Sequence, residues 1–141
     1  MATATLPDSR KQREAIVRRH ADAEIRHDVD ATLATFHRPR YEVPALGVSD
    51  GADAVRDLLN SMIVGFPDWH IEMGSFRHGD DFVFVEVQMT GTHAGPFAGW
   101  EPTGRKMDVT AACVFEFEQD RLVCEKVYFD MATVMRQLGK L

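Results

Sequence analysis

"KMDVTAACVFEFEQDRLVCEKVYFD", residues 106–130, alternates apolar and polar side chains on both sides of the pair Gln119-Asp120. A period of two is the mark of a half-buried strand, and a polar pair between two such runs is the mark of a hairpin. With Phe117 opposite Leu122, Phe115 meets Cys124, Cys113 meets Lys126, Ala111 meets Tyr128 and Val109 meets Asp130. One face then collects Val109, Ala111, Cys113, Phe115, Phe117, Leu122, Cys124, Tyr128 and Asp130, with Lys126 among them. The other face carries Glu116, Glu118, Arg121 and Glu125. A sheet with one apolar face follows, and it needs something to cover that face.

The residues before it extend the sheet. Trp69, Ile71 and Met73 alternate with His70, Glu72 and Gly74. In Phe82 to Thr92, Val83, Val85, Val87 and Met89 share a face that continues to His93. A loop of His78, Gly79 and Asp80 pairs Met73 with Val85 and Trp69 with Met89. Further upstream the period becomes helical. Ser9 and Gln12 read as a capping box for a helix to about His27, with a thin stripe of Val17, Ala21 and Ile25. Asp28 or Asp30 caps a short helix bearing Val29, Leu33 and Phe36, and Tyr41 to Val43 is a short strand. Asp50 caps a third helix whose Val55, Leu58, Leu59, Met62 and Ile63 form one stripe ended by Gly65, with Pro67 beyond. Met131, Val134, Met135 and Leu138 form a last short helix stopped by Gly139. Helices followed by a run of antiparallel strands predict an α+β fold: a curved sheet with its helices on one side.

With 141 residues the chain makes one domain, residues 1–141. Its net charge of −6 opposes a nucleic-acid or anionic-membrane surface, because no cationic excess neutralises phosphates. No apolar run reaches the ~20 residues of a membrane span. "MATATLPDSRKQRE" has no signal-peptide core, so residence in the cytoplasm is expected. Cys113 and Cys124 match no CxxC pattern and stand diagonal in the proposed hairpin, which predicts free thiols.

Few residues are placed for chemistry. No serine sits in a nucleophile elbow. The six histidines (His20, His27, His37, His70, His78 and His93) show no HxH or HxxxH spacing, and no metal is expected, although His20 and His27 could meet two turns apart on a helix. Asp130 has two readings. On the apolar face its carboxylate would lose water, rise in pKa and become a proton acceptor for a carbon acid. At the junction of strand and helix it would instead be an N-cap, accepting from Ala132 or Thr133. His93 opens the loop "THAGPFAGWEPTGR" (92–105), either to hold a substrate oxyanion or to bond a backbone carbonyl in a tight turn. Phe97 and Trp100 of that loop cover a cavity rim or serve the loop alone. Lys126 on the inner face would form a Schiff base or snorkel to the edge, and Tyr128 would be core or pocket wall.

Three stretches carry a resemblance: "FPDWHIEM" (66–73), "GTHAGPFAGWEPTGRKMDV" (91–109) and "EKVYFDMATVMRQLG" (125–139). They are similar to the FPD turn, the GTHxGxFxGxxPTG loop and the closing strand and helix of the SnoaL-like polyketide cyclase family, in the nuclear-transport-factor-2-like (NTF2-like) superfamily. The resemblance implies a cone-shaped α+β barrel around a deep apolar pocket, in a homodimer. It also implies intramolecular aldol ring closure of a small apolar polyketide-like substrate without metal or cofactor. Asp130 is then the acid/base and His93 the loop histidine. The walls come from Trp69, Met73, Val85, Met89, Phe115 and Tyr128, with Phe97 and Trp100 at the mouth. The chain departs from the family at Lys126, Val127 and Tyr128, where relatives often carry a tryptophan. Two rivals share the fold: a non-catalytic small-molecule or dimerisation module, and an isomerase, dehydratase or epoxide hydrolase. Epoxide opening needs an Asp-Arg-Asp set, and Arg105 and Asp108 do not complete one with Asp130.

Overall fold

The computed structural model describes residues 6–141. In chain order these residues form α1 (Leu6–Ile25), α2 (Val29–Ala34), β1 (Arg40–Val43), β2 (Gly47–Asp50) and α3 (Ala52–Gly65). Then come β3 (His70–His78), β4 (Phe82–Thr92), β5 (Lys106–Glu118), β6 (Arg121–Phe129) and α4 (Met131–Gln137). The strands make one open sheet in the order β2-β1-β6-β5-β4-β3, antiparallel except where β1 runs parallel to β6. The α+β architecture is the one the alternation predicts.

The apolar stripes explain the packing. Val17 and Ala21 of α1 and Val55 of α3 are buried with Val83, Val85, Val87 and Met89 of β4 and Val109, Ala111, Cys113, Phe115 and Phe117 of β5. Arg13 ties α1 to the turns of both hairpins: its guanidinium donates to Asp120 Oδ1 at 3.1 Å and to the carbonyls of Gln119 in the β5–β6 turn and Asp80 in the β3–β4 turn, each at 2.8 Å.

Caps decide the helix ends, and two differ from expectation. Ser9 lies inside α1, where its hydroxyl donates to Asp120 Oδ2 at 3.3 Å, so it caps nothing. Asp50 closes β2, and the N-cap of α3 is Gly51 at φ 92°, a conformation that an aspartate enters only with strain. Of the two candidate caps, Asp28 caps α2, accepting from Ala31 N at 3.0 Å, and Asp30 lies in the first turn. Gly139 ends α4 at φ 75° while Lys140 N donates to Met135 O at 2.7 Å.

Both hairpins keep their strands and change their registers. In β3–β4, Ile71 pairs with Met89 and Met73 with Val87, and a bulge between Met73 and Phe76 then brings Phe76 to Val85. Sliding Met73 from Val85 to Val87 is a slip of two, so the same side chains still face inward. The β5–β6 hairpin has the greater consequence. Phe117 does meet Leu122, but a bulge follows, and Glu116 pairs with Cys124, Phe115 with Glu125, Cys113 with Val127 and Ala111 with Phe129. A single extra residue, Val123, turns the rest of β6 over. Glu125, Val127 and Phe129 therefore face the concave side. Lys126, Tyr128 and Asp130, placed inside by the uninterrupted register, face the other way. Tyr128 is 47% exposed, and Lys126 Nζ lies 3.4 Å from Glu116 Oε2 on the outer face.

Candidate functional site

A cavity lies between α1, α2 and α3 and the concave face of the sheet. It holds about 90 Å³ of space open to the centre of a water molecule. Its wall is almost entirely hydrocarbon. Trp69, Met73, Met89 and Phe115, assigned to the wall from the sequence, line it. Val85 packs in the core without reaching it, and Tyr128 is on the far side of the sheet. Leu58, Leu59, Met62 and Ile63, read from the sequence as the buried stripe of α3, complete the opposite wall.

The glycine-rich loop does not cover this cavity. Ala94 N and Gly95 N donate to Gly65 O at 3.0 and 3.2 Å, which fastens the loop to the end of α3. Any Cβ on Gly95 would stand 2.0 Å from Val64 O, so only glycine allows that approach. Phe97 is buried against Phe66, their rings 5.2 Å apart, and Trp100 packs half-buried beside the core. Neither lines the cavity, so the rim role expected of them is withdrawn.

His93 is fully buried and stacks on Phe66 at 5.5 Å, also away from the cavity. Its Nδ1 accepts from Thr103 N at 3.3 Å, which makes the ring a neutral acceptor at that atom. Burial, with Lys140 nearby, lowers its pKa. His93 holds the loop; it does not reach a ligand in the cavity.

Asp130 is the N-cap of α4. Its Oδ1 accepts from Ala132 N at 3.0 Å and its Oδ2 from the Thr133 hydroxyl at 2.7 Å. The Thr133 hydroxyl bond is the largest of the effects that lower its pKa, and the carboxylate is exposed. Of the two readings open in the sequence, the capping one holds, and the catalytic one fails because the bulge turns the end of β6 outward.

The same bulge brings a different carboxylate inside. Glu125 is 4% exposed and lines the cavity with His20, Glu24 and Tyr41. His20 and Glu24, four residues apart, share a face of α1. Tyr41 is the register partner of Glu125 across the parallel β1–β6 pair. His20 Nε2 lies 2.7 Å from Glu24 Oε1, 2.8 Å from Glu125 Oε1 and 2.9 Å from the Tyr41 hydroxyl. The Tyr41 hydroxyl itself donates to Glu24 Oε1. Glu125 Oε1 has no well-directed hydrogen bond despite its closeness to the imidazole.

The far side of the ring fixes its protonation. Thr35 Oγ1 donates to Thr32 O at 2.7 Å, so its single hydrogen is committed, and it must accept from His20 Nδ1 at 2.8 Å. In that arrangement Nδ1 carries a proton, and Nε2 is the end that exchanges. Burial alone would lower the pKa of His20, but Glu24 and Glu125 outweigh it and raise it to about 10. Burial and the neighbouring Glu24 push Glu125 upward. A proton is thus shared among an imidazole and two carboxyls that are buried together, which is the condition under which a carboxylate becomes a base in the neutral range.

Among the described residues, His20, Glu24 and Glu125 also have the donor types of a divalent-metal set, as do Glu42, Glu116 and Cys124 on the outer face. In the first group the atoms stand at hydrogen-bond distances within the proton network. In the second, Lys126 and Arg40 occupy the carboxylates, and burial with Glu42 beside it raises the Cys124 thiol to about 12, away from the thiolate a metal needs. His27, the other histidine weighed for a metal, turns its Nε2 to Trp69 O at 3.0 Å.

The cluster had a signal in the sequence. Val17, His20, Ala21 and Glu24 follow one helical face, and the stripe looked thin because its polar members were not counted. Val127 and Phe129, apolar and alternating, likewise ask to face inward, which demands a bulge before them.

A family model for SnoaL-like polyketide cyclases matches residues 14–138. The chain belongs to that family. This SnoaL-like chain matches no functionally curated protein. Its backbone is similar to that of a candidate SnoaL-like polyketide cyclase from Jannaschia sp. CCS1, at TM-score 0.84 and 21% identity over 93% of this chain and 94% of that one. It is also similar to IdmH, a candidate polyketide cyclase from Streptomyces antibioticus, at TM-score 0.74 and 22% identity over 91% and 99%. An NTF2-like protein of unknown function from Burkholderia pseudomallei K96243 follows at 0.76 and 21% over 90% and 97%. At these identities the likeness establishes the NTF2-like fold. No helix among the described residues is long and apolar enough to cross a membrane.

Proposed function

We propose that the protein is an acid/base enzyme acting on a small, largely apolar carbonyl compound, with Glu125 as the base. The observation that carries this reading is the His20–Glu24–Glu125 cluster, buried at the wall of an otherwise hydrocarbon cavity. Burying two carboxyls and an imidazole opposes folding unless they are mutually satisfied, and perturbed groups facing a cavity are candidates for proton transfer.

Glu125 takes a proton from the carbon beside a carbonyl, leaving an enolate. The imidazolium of His20, held by Thr35 and Glu24, places positive charge against the negative charge as it develops. In ring closure of the family's kind, the enolate carbon bonds to a second carbonyl carbon of the same molecule. The alkoxide so formed recovers the proton from the Glu125 carboxyl, and no further reactant is consumed. The hydrocarbon wall holds the two reacting carbons of the substrate in the geometry of ring closure. Reprotonation of the enolate at another carbon would give an isomerase from the same site. Homodimer formation and cytoplasmic residence belong to this proposal as expectations of the family and the sequence, and light scattering tests the first.

The test is solvent deuterium exchange at the acidic carbon of simple β-diketones, followed by NMR. Wild type accelerates the exchange, Glu125→Gln loses at least about a hundredfold of that acceleration, and Asp130→Asn keeps it. Full activity in Glu125→Gln ends the proposal. Saturable binding with no exchange in wild type favours the non-catalytic binding module instead.

A further inference from the structure

The size and lining of the cavity limit the ligand more narrowly than the family does. The space is about 90 Å³, whereas an enclosed apolar cavity of about 150 Å³ holds one benzene molecule. The volume is small because long side chains converge on it from two layers. Trp69, Met73 and Met89 reach in from the sheet, Leu59 and Met62 from α3, and Phe129 from the end of β6. The aromatic pair is stiff, while methionines shift through several rotamers, so local rearrangement enlarges the space to that of one ring and little more. At the mouth Leu46, 38% exposed, adds another apolar surface. Of the lining residues, His20, Glu24, Tyr41 and Glu125 form one buried polar group, and Trp69 carries a buried Nε1 with no hydrogen-bond partner.

We propose that the ligand is compact and neutral, of single-ring size at most, and carries its polar groups at one end, seated against His20 and Glu125. A fused polycyclic skeleton does not enter. The proposal deepens the reading above and rests on it only in naming the polar end; the size limit comes from the walls alone.

Equilibrium binding, read by Trp69 fluorescence, is measured with the neutral ketones cyclohexanone, 2-tetralone and anthrone as one-, two- and three-ring probes. A Trp100→Phe background removes the other tryptophan. The one-ring probe binds, and anthrone binds at least about tenfold more weakly because it overpacks the site. Met73→Ala reduces that preference, by opening the wall, and Val48→Ala, outside the cavity, leaves it unchanged. Anthrone binding as tightly as cyclohexanone, an unaltered preference in Met73→Ala, or no binding by any probe each overturns the proposal. Glu125→Gln, measured alongside, keeps the size ranking, so loss of the catalytic reading and loss of the size limit give different results.

Discussion

Raising the pH from 7 to 9 should weaken the fold, and the amount follows from His20. The ring is fully buried, and Glu24 and Glu125 hold its pKa at about 10 against an ordinary 6.5. Between those values the folded protein keeps a proton that the unfolded chain releases. The stabilisation is therefore complete below about pH 6.5 and is lost as the pH climbs through 10. At ~1.4 kcal/mol per pH unit, the full interval is worth at most about 5 kcal/mol, and the stretch from pH 7 to 9 about 3 kcal/mol. Glu125, also raised, adds to the same trend from the acid side. The carboxylates whose pKa is lowered, Asp68, Glu42 and Asp130, contribute stability present at neutral pH and lost only as the pH falls through their acidic range, so they do not offset it. Urea unfolding at pH 7, 8 and 9 measures the loss, and NMR of the His20 ring protons identifies its source. A stability that is flat or rising over this range, or a His20 ring that titrates near 6.5, would refute the charged cluster.

Two further outcomes follow from the bulge. Val127→Asp, which places a carboxylate on the cavity wall, should destabilise by at least about 3 kcal/mol, whereas Tyr128→Asp on the outer face should stay within about 0.5 kcal/mol; thermal and urea denaturation separate the two, and the reverse order would restore the uninterrupted register. Asp130→Ala should lower the thermal midpoint by removing the cap of α4 while changing kcat/KM less than about twofold, and a large loss of kcat would return Asp130 to the site.

The sequence by itself determined the types and order of the elements other than β2, and the inward face of β4, of β5 and of β3 up to its bulge, because periods of two and 3.6 are properties of the chain alone. It also determined the family, through the "GTHAGPFAGWEPTGR" loop and the "QLG" ending, and the apolar stripe of α3 that became a cavity wall. Which carboxylate enters the cavity was decided by tertiary structure. The alternation of residues 121–130 is compatible with two faces, and the choice between them turns on whether Val123 is paired or extruded. That in turn depends on β1 lying parallel to β6 and on α1 presenting His20 and Glu24 to the sheet. A proton network spanning positions 20, 24, 41 and 125 has no local signature, since its members are brought together by contacts far apart in the chain. One extra residue in one strand put Asp130 in water and Glu125 out of it.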